Sequence, residues 1–181
     1  MSLIEKTRRS FGNRQLKKLA LHTRVNAHIV PFSKAKNIII LFSTNQLQEL
    51  KHVKSFINEL TNQKKNVKVI GFIDKNDLAE FKTEAYTLDY ITTEQLNFNL
   101  TLKDEVLSSY SSQEYDLLIN LSESSLQLDL IATKLNSKFK IGRYDAEGSL
   151  VYDFMIDCKK EASISNFVAE LKHYLSVLEN D

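Results

Sequence analysis

At 181 residues the chain is one domain, or one domain with an appendage, and its single cysteine, Cys158, excludes an internal disulfide and suits a reducing compartment. No stretch approaches the roughly 18 apolar residues of a membrane span, and the start, Met1 to Arg9, lacks the apolar run of a secretory signal. The net charge of +1 conceals a division: residues 1–35 carry Lys6, Arg8, Arg9, Arg14, Lys17, Lys18, Arg24 and Lys34 against Glu5 alone, a balance of +7, so the remainder carries −6. A basic arm (1–35) on an acidic body (36–181), located in the cytoplasm, is the organisation this predicts.

Residues 2–23 read as helix in two pieces, with Gly12-Asn13 the weak spot, because glycine costs about 1 kcal/mol against alanine inside a helix. In the second piece Leu16, Leu19 and Ala20 share one stripe and Arg14, Lys17 and Lys18 the opposite side. The narrow stripe requires that this helix rest on something else. Val25 to Phe32 alternates as an extended segment, and Pro31, the only proline, confines it to an edge strand or a covering segment.

Asn37 to Phe42 holds five consecutive large apolar residues, the pattern of a strand buried on both faces. Ser43-Thr44-Asn45 supplies a helix N-cap, and Leu47, Leu50, Val53, Phe56, Ile57 and Leu60 make an amphipathic helix. Val67 to Ile73 is a second strand, parallel to the first through a right-handed crossover, and Asp74 to Asp77 is a turn.

Leu78 to Lys82 predicts a helical turn, and Ala85 to Ile91 a third strand near an edge. An irregular stretch from Thr92 to Leu102 leads to a short helix at Lys103 to Ser111. Tyr115 to Leu121 is the second strongly buried strand, followed by a helix capped within Ser122 to Ser125. Phe139 to Tyr144 is a further strand. Leu150 to Ile156 is a last one, expected antiparallel because its link is short. Ser163 to Ser165 opens the closing helix. The sum is an α/β fold: an open, mostly parallel, doubly wound Rossmann-like sheet with an N-terminal basic helical arm.

Ligands of such sheets bind beyond the carboxyl ends of the strands. The loops there are Ser43–Gln46, Asp74–Asp77, Ser122–Ser125 and Arg143–Asp145. The first has no glycine, so a GxGxxG or P-loop nucleotide site is excluded. Ser43 and Thr44 at a helix start can hold an anion or merely cap the helix. Asp74 stands where a ribose-binding acid would stand, or serves only as a turn residue. With Asn120 and Ser122 these make the candidate small-ligand site. The four histidines have no partner at metal spacing, Cys158 has no CxxC partner, and Asp153 and Asp157, which bracket Phe154 to Ile156, read as paired carboxylates or, more commonly at strand ends, as solvated acids. No catalytic residue, metal or cofactor is expected.

The arm is the sharpest feature. Lys6, Arg8, Arg9, Arg14, Lys17, Lys18 and Arg24 fall together with almost no acid among them, and neutralising phosphates with Lys and Arg gives sequence-independent nucleic-acid affinity. A-form RNA is read largely through its backbone. The alternatives are a helix docked on the protein's own acidic body, an anionic membrane surface, for which the apolar stripe is thin, and a protein partner.

The segments Ala35–Phe42, Val67–Asp74, Tyr115–Leu121 and Lys138–Tyr144, with the basic first helix, resemble a family of small bacterial α/β proteins defined as a domain of unknown function. That resemblance spans nearly the whole chain and implies a fold and no activity. The segment Tyr115–Gly142 is also similar to the strand–helix–Ile-Gly element in the N-terminal half of lipopolysaccharide heptosyltransferases. Those enzymes are two-domain proteins that bind the sugar nucleotide mainly through a second Rossmann half. Neither that half nor their Gly-rich first loop is found here, so a complete glycosyltransferase is not expected. The leading expectation is a non-enzymatic RNA-associated protein, specifically one bound to the large ribosomal subunit, touching rRNA through its arm, with neighbouring ribosomal proteins as further partners. The alternative is a small-ligand-binding or degenerate glycosyltransferase-like domain with its site at the strand ends. Homo-oligomerisation stays open.

Overall fold

The computed structural model describes residues 2–23, 30–85, 88–123, 125–145, 150–158 and 163–178. Its centre is strand β1 (Asn37–Ser43), in which Ile38 to Phe42 are all fully shielded from solvent. Alternation sends Ile38, Ile40 and Phe42 into one core and Ile39 and Leu41 into another on the opposite face. Helices α2 (Leu47–Asn62), α3 (Leu78–Glu84) and α6 (Ile164–Leu178) cover the first face. There Leu50, Val53, Phe56, Phe81, Phe167 and Leu171 meet the sheet. Helices α4 (Asp104–Ser111) and α5 (Leu126–Lys134) cover the second, with Tyr110, Leu128 and Ile131.

Strands β2 (Asn66–Phe72), β3 (Asp89–Ile91), β4 (Tyr115–Asn120), β5 (Ser137–Arg143) and β6 (Phe154–Ile156) complete a six-stranded sheet in the order β3-β2-β1-β4-β5-β6. All five pairings are parallel. The order reverses between β1 and β4, which opens the crevice beyond their carboxyl ends.

Several expectations are corrected here. β6 is parallel to β5, not antiparallel, and shorter than Leu150–Ile156. After β5 the chain folds back only to mid-strand. There Asp153 donates its N–H to the Lys140 carbonyl and takes the Lys140 N–H on its carboxylate. β6 then runs beside the last three residues of β5, so a short link suffices. Tyr152 plugs the return by lying flat over Gly142, where any Cβ would sit 2.8 Å from its ring. The helix before β1 is one piece, α1 (Leu3–Thr23), unbroken at Gly12-Asn13. The stretch between Thr92 and Leu102 is ordered by a 3-10 turn at Thr93–Gln95 and a bridge between Leu96 and Leu102. Pro31 starts a turn that packs Val30 and Phe32 on the core, so the described end of this piece, from Val30 on, is a covering segment. Arg24, the segment Val25–Ile29, Tyr86 and the turn residues 146–149 lie outside the described residues.

The start of β1 is fixed by Asp116 of β4. Its carboxylate accepts the N–H groups of Lys36 (2.8 Å) and Asn37 (3.0 Å) and the Lys138 ammonium (2.7 Å). Burial pushes this carboxyl up, but the backbone N–H of Asn37, Lys138 and the N–H of Lys36 outweigh it and bring it from 3.8 down to about 2. A carboxyl held low contributes stability above its unfolded value, lost as the pH falls through its folded value. Asp116→Asn is therefore expected to cost on the order of 2 kcal/mol at pH 7. Urea unfolding at stepped pH checks this: the gap between the two proteins should be full at pH 7 and close between about pH 4 and pH 2.

Candidate functional site

Helix α1 begins on a capping box. Ser2 Oγ accepts the Glu5 N–H, and the Glu5 carboxylate accepts the Ser2 N–H (2.7 Å), so the helix's only acid is used on its own first turn. Gly12, Leu16, Leu19 and Ala20 share the face turned inward, with Gly12 and Ala20 buried. The contact is close because Gly12 has no side chain: a Cβ there would lie 3.0 Å from Leu126 Cδ2 and 3.2 Å from the Asn99 carbonyl oxygen. Arg8 also anchors the helix. It donates to the carbonyls of Phe98 (3.2 Å) and Asn97 (3.4 Å) and lies over the Phe98 ring, which Phe11 meets edge-on.

Four of the other cations point away from the body. Lys6, Arg14, Lys17 and Lys18 lie opposite Gly12 on the helical wheel, Arg9 sits at the margin of the docked face where it edges a groove with the body, and all five are exposed. Among the described residues, none of the α1 cations forms an ion pair with a carboxylate. The helix thus rests on the body through small and apolar residues and the carbonyl grip of Arg8, with no ion pair to a carboxylate among the described residues. Six of the seven proposed RNA-binding residues fall on it, five of them exposed, with Arg8 turned to the body and Arg24 outside the described residues.

The second candidate is a crevice of about 760 Å³ at the β1/β4 reversal. Ser43, Thr44, Asp74 and Ser122 line it, as the sequence suggests, together with Glu49, Glu123 and Arg143. Asn120 does not line it: it is buried, donates to the Tyr152 hydroxyl (2.6 Å) and accepts the Ser122 N–H, while Tyr152 in turn donates to Asp129. Ser122 Oγ is also engaged, tying β4 to β1 by accepting the Ser43 N–H and donating to the Ser43 carbonyl. The expected side-chain cap of α2 is absent. Its N-cap is Gln46, which makes no such bond, and Thr44 Oγ1 accepts the Gln46 N–H one residue too early.

Arg143 looks like an anion ligand but is built in. Its guanidinium donates to the carbonyls of Leu121 (3.0 Å) and Ser163 (2.6 Å) and stacks over Phe167. Burial lowers its pKa, against the raising effects of Cys158, Glu123 and Glu49. Glu49 was not expected at the site. It reaches from the first turn of α2 to accept the Ile164 N–H at the start of α6 (2.8 Å), a partner 115 residues away that no local pattern announces. A smaller groove of about 370 Å³, edged by Arg8 and Arg9, shares Thr93 and Ser125 with the crevice. Among the described residues, no group of three or more His, Cys, Asp or Glu could hold a metal ion, and no helix is long and apolar enough to cross a membrane.

Fold and site together define a Rossmann-like α/β protein with a cationic helix laid on one layer. The chain belongs to the family described as a family of unknown function (DUF6913), whose model matches residues 8–178. No curated protein matches it. Among solved structures it is similar to E. coli heptosyltransferase WaaC with ADP, at a TM-score of 0.52 and 11% identity, over 74% of this chain and 45% of that one. The same enzyme with ADP-2-deoxy-2-fluoro heptose gives a TM-score of 0.51 at 11% identity, over 74% and 46%. At that identity the likeness is one of fold, and the chain spans less than half the length of the enzyme.

The seat of α1 is open to test at Gly12. Gly12→Leu should lift the helix, because the Asn99 backbone cannot give way, at about 1–3 kcal/mol. Hydrogen exchange should show α1 amides losing protection while β1 and β4 keep theirs.

Proposed function

We propose that this is a non-enzymatic RNA-associated protein that binds ribosomal RNA through the outer face of α1, with the large ribosomal subunit as its place of residence. The observation that carries the reading is the row of exposed cations at Lys6, Arg14, Lys17 and Lys18, with Arg9 beside it, none of them ion-paired to a carboxylate among the described residues, on a helix that docks through Gly12 and Ala20. Lys6 to Lys18 extends about 18 Å along the helix, enough to meet several phosphates of one duplex. The body carries the compensating negative charge, so a polyanion is attracted to one layer and repelled by the rest. The outer face also exposes Leu3 and Leu21, apolar points suited to neighbouring ribosomal proteins. Residence on ribosomes also implies the cytoplasm.

The test is binding to a structured rRNA fragment by fluorescence anisotropy across a salt series. Wild-type affinity should fall steeply with salt. The triple change of Lys6, Arg14 and Lys17 to Gln should reduce the slope of log K against log salt by about 2–3. Its unfolding midpoint should be unchanged within error, since all three side chains are exposed. Equal binding by both proteins, or none by either at low salt, would refute the reading.

A further inference from the structure

No residue of α1 lines the crevice at the β1/β4 reversal, and its chemistry is selective. Two of the helix starts that open on it are closed by the chain itself, Ser125 accepting the Leu128 N–H of α5 and Ser163 the Asn166 N–H of α6 with Glu49 on the Ile164 N–H, while the start of α2 carries no side-chain cap. Among the described residues, three carboxylates, Glu49, Asp74 and Glu123, line it against one guanidinium, Arg143, which is committed to backbone carbonyls. With no glycine in the first loop, backbone cannot approach a pyrophosphate. Phosphate is therefore disfavoured on two counts, the carboxylate lining and the glycine-free loop.

The same wall favours hydroxyl groups. Asp74, just past β2, uses Oδ1 to accept the Asn76 N–H (2.8 Å), while its Oδ2 accepts nothing among the described residues. An acid at this place in a doubly wound sheet is positioned to take the hydroxyls of a ribose. Phe72 and Ile73 add an apolar floor beside it, and Asn45 supplies a neutral amide that both donates and accepts.

We propose that this crevice binds a neutral ligand bearing a vicinal diol, a nucleoside or a free pentoside without phosphate, with Asp74 accepting from the diol. The proposal goes beyond RNA binding by α1 and stands or falls separately from it.

Calorimetric titration of the full chain with adenosine, methyl β-D-ribofuranoside, 2′-deoxyadenosine and adenosine 5′-monophosphate tests it. Adenosine should bind, at least tenfold tighter than 2′-deoxyadenosine, which lacks the diol, and at least tenfold tighter than the monophosphate. Equal binding of the riboside assigns the site to the sugar alone, and weaker binding assigns it to the nucleoside; both support the proposal. Asp74→Asn keeps the acceptor for Asn76 and should lower adenosine affinity at least tenfold with the melting temperature unchanged. No heat from adenosine or riboside at millimolar concentration overturns the proposal. So does a monophosphate that binds as tightly as adenosine, a deoxynucleoside that does so, or an Asp74→Asn protein with wild-type affinity.

Discussion

Five fully buried residues in a row, Ile38 to Phe42, impose a condition that most of the architecture answers. A strand with apolar side chains on both faces must be covered on both, and parallel neighbours joined through helices supply that cover. With β2 on one side and β4 on the other, β1 becomes the axis of the sheet, and the chain must reverse its direction of winding beside it. The crevice is the geometric residue of that reversal. Its position therefore follows from the burial of β1, while its chemistry follows from the loops. The Asp116 clamp on Lys36 and Asn37 sets where the axis begins, and Ser122 on Ser43 sets where it ends.

The layer that α1 adds obeys a different rule. Its inner face offers little apolar surface, so close approach at Gly12 and Ala20 and the grip of Arg8 on two carbonyls replace a broad hydrophobic stripe. The consequence for function is electrostatic. A basic helix on an acidic body would ordinarily be expected to settle by ion pairing, yet the contact is made by small residues and by Arg8 on carbonyls, and Lys6, Arg14, Lys17 and Lys18 face outward. The buried cations of the body behave otherwise: Lys65, Lys140 and Arg143 are all satisfied by backbone carbonyls and serve as internal struts. Exposure, more than the number of cations, separates the α1 set from these.

Much of the fold was legible because it is written in runs and periods. The two apolar runs at 37–42 and 115–121 and the amphipathic spacing of 47–60 and 164–178 map directly onto β1, β4, α2 and α6. The misreadings share one cause, tertiary contact overriding local preference. Gly12 looks like a break, but it is the point where α1 touches Leu126 and Asn99. The link before β6 looks too short for a parallel strand, until the pairing of Asp153 with Lys140 shows how little of β5 it must retrace. In the crevice, Ser43, Thr44, Asp74 and Ser122 follow from the rule that sites form after strands. Asn120 obeys the same rule and yet is taken by Tyr152, and Glu49 enters from a helix, because long-range hydrogen bonding leaves no local mark.

The central claim is that α1 presents its cations to RNA while the sheet and its remaining helices stay out of contact. Ultraviolet cross-linking in the native cell, followed by mass spectrometry of peptide–nucleotide adducts, addresses it residue by residue. The account predicts adducts concentrated on the peptides covering residues 3–23. Adducts confined to α2 or α6 on the opposite face, or a chain recovered without nucleotide adducts, would contradict it.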